Sequence, residues 1–294
     1  MIKKLTVVIL VFWFCGICFA QTPPATKVKD NLEVSTPVKQ SLQYFEEKHK
    51  DKKAIFLLYE LEAKLNEDWS YTFRIHLKTK ILKEEAKDLG EITLPYENGR
   101  ESIAKIQAYT ITEGGKKHRY TKIQDLNIYP GYPMYSDYRV KVITLPEVNI
   151  GSTVEYEYTA ISKGMPIKNA FWYEDNFGFA VPVKEMKVTF IMPKKLGISY
   201  KEFNLSHKPK ITQDASAIIY SWHLSEIDNS EETEDFLPQP RLEFIEDDVE
   251  FSSIKSWKDI SDWYYPLIQK NLKINEDIKQ AAKMAVKGCA SARD

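Results

Sequence analysis

Residues Tyr71 to Leu82 alternate between apolar and polar. Tyr71, Phe73, Ile75 and Leu77 fall on one side, and Thr72, Arg74, His76 and Lys78 on the other. A repeat of two places successive side chains on opposite faces of an extended chain, so this run predicts a strand with one buried face. Ala54–Leu65 is apolar and then alternating, and Asn66, Glu67 and Asp68 between the two runs are turn residues, which predicts a hairpin. A strand with a buried face needs a second layer against it. The rest of the chain supplies further strands.

Shorter extended runs follow at 91–94, 102–112, 117–121, 138–145, 152–161, 183–192, 198–203, 217–223 and 241–244. Glu97–Arg100 and Glu113–Lys116 are turns, and the imperfect alternation of Ile103, Ile106, Ala108 and Thr110 allows a bulge. The segment 123–137 reads as an ordered aromatic loop, and 230–240 as an acidic, proline-containing connection. About a dozen short strands parted by turns, with no βαβ rhythm, predict a mainly β fold. The expected architecture is an antiparallel β-sandwich, one large or two abutting, with C-terminal helices. With 43% hydrophobic residues, 17 Tyr and 14 Phe in 294 residues, the chain can bury such a core. Its 41 basic and 42 acidic residues nearly cancel, which excludes a strong field for nucleic acid or an anionic membrane.

The pattern changes at Phe251. Ser256 is an N-cap, and Asp259 sits three places later to complete a capping box. Trp257, Ile260, Trp263, Tyr264 and Leu267 then recur at helical spacing as one apolar stripe, expected to pack in part on the sandwich. Pro266 predicts a kink or break. A second helix is expected after Asn275, ending at Gly288, with less support than the first.

At the other end, Lys3 and Lys4 precede the apolar run Leu5–Phe19, and Ala20 precedes the polar Gln21–Pro24. This is the pattern of a secretory signal cleaved after Ala20, with a run too short for a comfortable membrane span. Export to the periplasm or beyond is therefore expected, with no stable membrane span after cleavage. Cys15 and Cys18 leave with the signal, so Cys289 alone remains and no internal disulfide forms. The expected division is signal 1–20, leader and short helix 21–53, β-sandwich 54–250 and helical junction 251–294.

Candidate sites are few. A nucleophilic Cys289 would need an oriented base, and the 5 His all lie upstream, so Cys289 reads as a residue of a frayed tail. No two His share a ligand spacing, and Glu246, Asp247, Asp248 and Glu250 lack the Gly and the alternation of a calcium loop. That acidic group reads as a solvated linker. No cofactor or metal is expected. Tyr129, Tyr132 and Tyr135 in the aromatic loop, with Trp172 and Tyr173, are the candidate ligand-binding aromatics, set against the alternative that they pack in the core.

The segments Tyr71–Leu82, Ile92–Tyr96, Ile106–Thr110, Leu145–Tyr158, Phe177–Val183 and Phe251–Tyr264, in this order, resemble the domain of unknown function (DUF) 3857 family. That family is found N-terminal to transglutaminase-like domains in exported bacterial proteins, and the resemblance spans roughly residues 50 to 270 on the order of these strand segments. It implies a β-sandwich accessory region, with no catalytic residues to carry over. It also implies that a thiol domain follows the Trp-containing helix, with its nucleophile in Gly-Asp-Cys-Lys-Asp. Here Val286–Asp294 places Cys289 without the preceding Asp or a downstream His. The expectation is therefore a non-enzymatic accessory or interaction module whose partner is a protein, peptide or glycan at the cell envelope. The alternatives are a fragment of a transglutaminase- or protease-like thiol enzyme, or a glycan- or peptide-binding module.

Overall fold

The computed structural model describes residues 36–129, 137–203, 205, 207–228, 248–269, 272 and 275–287. The expected signal, Tyr132, Tyr135, the strand at 241–244 and Cys289 lie outside them. By internal contacts the chain forms two compact units, Met1–Ser253 and Ile254–Asp294.

The first unit opens with helix α1 (Thr36–Lys48), then the hairpin β1 (Ala54–Leu65) and β2 (Tyr71–Ile81). Next come β3 (Glu91–Glu97), β4 (Glu101–Ile111), β5 (Lys117–Arg119), β6 (Gln124–Asn127) and β7 (Tyr138–Thr144). The series continues with β8 (Thr153–Ser162), β9 (Trp172–Asn176), β10 (Val183–Pro193) and β11 (Ser199–Phe203). It closes with β12 (Lys210–Gln213), β13 (Ala217–Ile227) and β14 (Asp248–Ser252). The mainly β expectation holds.

Eight strands form one sheet in the order β12-β13-β10-β1-β2-β8-β4-β5. Two three-stranded sheets, β11-β14-β9 and β3-β7-β6, supply the facing layer. The strict alternation of β2 explains the arrangement. Tyr71, Phe73 and Ile75 belong to a large core shared with Tyr173, Val249 and Phe251 of the first small sheet. Ile81, on the same face further along β2, belongs to a second core with Ile92, Leu94 and Ile143 of the other small sheet. One large sheet therefore serves two adjoining cores, which joins the two architectures expected from the sequence. The other face of the large sheet is polar and is partly covered by α1. Lys184 of β10 donates to Ser41 Oγ at 2.7 Å, and Lys80 of β2 pairs with Glu46 at 3.3 Å.

Several local expectations are met for visible reasons. Asn66 N–H donates to Ser70 O at 2.7 Å and closes the β1–β2 turn. Gly115, with φ of 81°, closes the β4–β5 hairpin, where Lys116 O accepts from Thr112 N–H. The bulge in β4 lies between Ala104 and Gln107.

Four expectations need correction. The ladders are not all antiparallel: β1 and β10 pair in parallel, with Leu61 opposite Val188 and Ala63 opposite Phe190. The aromatic loop contains a strand, β6, held against β7. The segment 210–213 is also a strand, at the edge of the large sheet. The acidic linker is in its last part not a linker. Asp248–Ser252 is the central strand of a small sheet, with Asp248 and Val249 buried.

Gly90 marks a close approach. A Cβ there would lie 2.6 Å from Val148 Cγ2, inside any real contact distance. Gly90→Ala is expected to destabilise the chain by about 1–3 kcal/mol through overpacking. Val148→Ala in the same chain should recover part of that loss in urea unfolding. A double variant no more stable than Gly90→Ala would exclude this contact as the cause.

The second unit contains α2 (Trp257–Gln269) and α3 (Glu276–Ala285). Asp259 Oδ2 accepts from Lys255 N–H and Ser256 N–H, both at 2.9 Å, which is the Asp259 half of the expected capping box, while Ser256 Oγ donates to the same oxygen at 3.3 Å. The helix runs on through Pro266 as one element. Asn275 Oδ1 accepts from Ile278 N–H at 2.8 Å and caps α3. Neither helix contains a buried residue. Trp257, Tyr264 and Leu267 of the apolar stripe are exposed, while Ile260 and Trp263 are partly covered. Among the described residues no helix is long and apolar enough to cross a membrane.

Candidate functional site

Of the predicted ligand-binding aromatics, Tyr129, Trp172 and Tyr173 lie among the described residues. Tyr173 is a core residue, and its assignment as a ligand contact is corrected. It is 2% exposed, its ring centroid lies 5.0 Å from that of Phe73 and 5.3 Å from that of Phe190, and the ring joins the two layers. Trp172, one residue before it, is partly buried against the same core. Tyr129 is exposed, and its N–H donates to Asn127 Oδ1 at 2.9 Å.

The polar face of the large sheet carries a dense charge network. Arg74 donates to Glu60 at 2.9 Å and to Glu157 at 2.7 Å. His76 Nε2 lies 2.9 Å from Glu155 Oε1, and Lys78 Nζ lies 3.0 Å from the same oxygen. Burial pushes the Glu155 carboxyl up, but the bonds from His76 and Lys78 outweigh it and hold the group below its ordinary range. Acids and bases satisfy one another here, so this face offers no field of one sign to a partner.

Two further acidic groups sit apart. Glu101 accepts from Glu97 N–H at 2.6 Å. Burial, with the negative charge of Glu97 adding to it, pushes the Glu101 carboxyl up to about 7, against the pull of that N–H and of Arg100. Burial, then Glu174, also raises the carboxyl of Asp248. Among the described residues no group of three His, Cys, Asp or Glu is placed to hold a metal ion.

A concavity lies elsewhere, where the β1–β2 turn meets the connection from β8 to β9. It has a volume of about 260 Å³ and is lined by Asp68, Trp69, Lys163, Gly164, Met165, Pro166, Lys168 and Asn169. The turn is fixed from within. Trp69 N–H donates to Asn66 O at 3.0 Å, and Asp68 Oδ1 accepts from Ser70 N–H at 3.0 Å and from Ser70 Oγ at 2.6 Å. On the opposite wall, Lys163 Nζ donates to Gly99 O at 2.8 Å, and Ala170 N–H donates to Ile167 O at 3.2 Å. Met165 is anchored in the large core, and Trp69 packs partly against it.

The backbone around this concavity is unusual. Trp69 has φ of 69°, Asn169 58° and Gly164 119°. Glycine adopts positive φ at no cost and asparagine at little, but a bulky side chain there is an outlier. A Cβ on Gly164 would lie 3.5 Å from Trp69 O, so the two walls approach closely at this point. In the sequence, Asn66–Asp68 shows the turn but nothing marks Trp69 as left-handed.

The comparisons agree with the strand architecture. No curated protein matches the chain. Among solved structures, a candidate protease from Parabacteroides distasonis superimposes with a TM-score of 0.65 at 19% identity, covering 80% of this chain and 47% of that one. An M1 zinc metallopeptidase from Deinococcus radiodurans matches with a TM-score of 0.36 at 10% identity, over 68% of this chain and 42% of that one. The chain thus spans less than half the length of these structures. The first likeness shows the fold, and the second carries no argument. The model of the DUF3857 family, a domain of unknown function with solved structure, matches residues 67–230. That match runs from the turn bearing Trp69 through β13 and takes in more than half of the sequence, and the chain therefore belongs to the DUF3857 family.

Proposed function

We propose that the chain is an exported, non-catalytic accessory module that works by binding beside a protease- or transglutaminase-type catalytic domain at the cell envelope. The carrying observation is the likeness to the Parabacteroides candidate protease, in which this fold accounts for 47% of a longer chain. A β region filling half of a larger molecule suits a module that positions a partner or a substrate for chemistry done elsewhere. The N-terminal Lys3, Lys4 and Leu5–Ala20 pattern supports export.

The purified full chain is the test. Transamidation of a glutamine peptide and hydrolysis of a casein-type substrate are expected to stay at the buffer rate. Cys289→Ala should change neither. A turnover that Cys289→Ala abolishes would make the chain a thiol enzyme and overturn the reading.

A further inference from the structure

We propose that the concavity between Asp68–Trp69 and Lys163–Asn169 is a subsite for an acidic saccharide, a pyranose ring that carries a carboxylate. The inference deepens the reading of the chain as a binding module and rests on it.

The backbone gives the first reason. Trp69 holds a left-handed conformation at the fourth position of a turn. Glycine or asparagine fills such positions without strain, whereas a bulky side chain costs on the order of 1–2 kcal/mol. The strain is borne in a turn closed by five internal hydrogen bonds, so the indole is carried on a rigid support. Strained residues of this kind gather at ligand sites because they pre-organise them. Here three residues with positive φ, Trp69, Gly164 and Asn169, line one concavity.

The lining gives the ligand class. None of the lining residues belongs to a strand, and the N–H groups of Trp69 and Lys163 are used within the chain. A peptide bound in extended form needs free backbone groups, as an open strand edge offers. This concavity offers side chains instead. The half-buried indole of Trp69 presents an apolar face suited to the C–H face of a sugar ring. Asp68 and Asn169 can bond to ring hydroxyls. Lys168 is exposed, and no hydrogen bond or ion pair engages it among the described residues. With Lys163 it sets two ammonium groups against one carboxylate, a surplus of one positive charge that a sugar carboxylate would neutralise. A volume of about 260 Å³ suits one ring, with the rest of the chain left in solvent.

The test titrates full chain with acidic tetrasaccharides, oligogalacturonate and oligomannuronate, and with their methyl esters and maltotetraose. Titration calorimetry reports binding in every variant, and the indole N–H signal of Trp69, assigned by its loss in Trp69→Gly, reports whether the ligand sits at this concavity. At least one acidic tetrasaccharide is expected to bind, at least fivefold more tightly than its ester. Lys168→Glu, an exposed change that leaves the fold intact, should erase that preference. Trp69→Gly removes the backbone strain together with the ring, so it should fold and yet weaken binding at least tenfold. No binding to any acidic tetrasaccharide, equal binding of acid and ester, or unchanged affinity in Trp69→Gly would each overturn the proposal. Thiol activity lost in Cys289→Ala would sink the accessory reading and leave the titration unaffected, so the two failures are distinguishable.

Discussion

Phe190→Ala is expected to cost about 3–5 kcal/mol of folding free energy, the range for a large side chain removed from a packed core. Phe190 is fully buried at the centre of β10. Its ring centroid lies 4.5 Å from that of Phe251, 5.3 Å from that of Tyr173 and 5.9 Å from that of Trp222. Phe251 and Tyr173 belong to the small sheet, while Trp222 neighbours Phe190 on the large one. Truncation therefore removes the ring that both layers share, and rigid flanking strands cannot close the space. Phe190→Leu keeps most of the volume and should cost about 1.5 kcal/mol or less. Thr189→Ala, one residue away on the polar face, should change stability by about 0.5 kcal/mol at most. Urea unfolding of the three variants measures the order. A loss for Phe190→Ala no larger than that for Phe190→Leu would mean that the layers are not held by this contact.

That same residue shows what the sequence makes legible. Phe190 lies in a run where Met186, Val188 and Phe190 repeat every second position, and the run's face and strand identity follow from that repeat alone. Its partner does not follow. Strand β1 pairs in parallel with β10, more than a hundred residues later, and no local signal records a pairing at that separation. Strand β14 was hidden for a different reason. Asp248 and Glu250 flank Val249 and imitate a solvated tract, yet Asp248 is 2% exposed. Tyr173 shows the limit of residue type as a guide. An aromatic triplet suggests a platform, but Phe171 and Tyr173 are buried in the core and Trp172 is partly buried against it. The candidate site was legible only as a turn. Its left-handed tryptophan is a conformation that sequence preference argues against, and only the folded chain reveals it.

A stability optimum near pH 5, with a decline toward pH 8, is the second large effect expected. In the unfolded chain Glu101 ionises near its ordinary value of 4.5; in the fold, burial and the charge of Glu97 hold its proton to about 7. Between those values the folded chain binds more protons than the unfolded one, so stability is greatest below 4.5 and falls as pH rises through 7. Allowing for its partial contact with water, Glu101 contributes a loss on the order of 2 kcal/mol across that window. Asp248, raised by burial and by Glu174, acts in the same direction. Below the optimum the opposite groups decide. Burial pushes Asp125 up, but bonds from Lys141, Tyr96 and Arg139 outweigh it and hold the carboxyl at about 2, so its contribution is lost as pH falls from 3.8 toward 2. His49, lowered by burial and by Lys48, also favours higher pH and offsets part of the decline. The substitution Glu101→Gln isolates the contribution of Glu101, because the amide oxygen can still accept from Glu97 N–H. It should leave stability at pH 5 within about 0.5 kcal/mol and raise it by about 2 kcal/mol at pH 8 in urea titrations. A wild-type decline that Glu101→Gln reproduces unchanged would assign the pH dependence to Asp248 instead, and Asp248→Asn would then be the variant that flattens it.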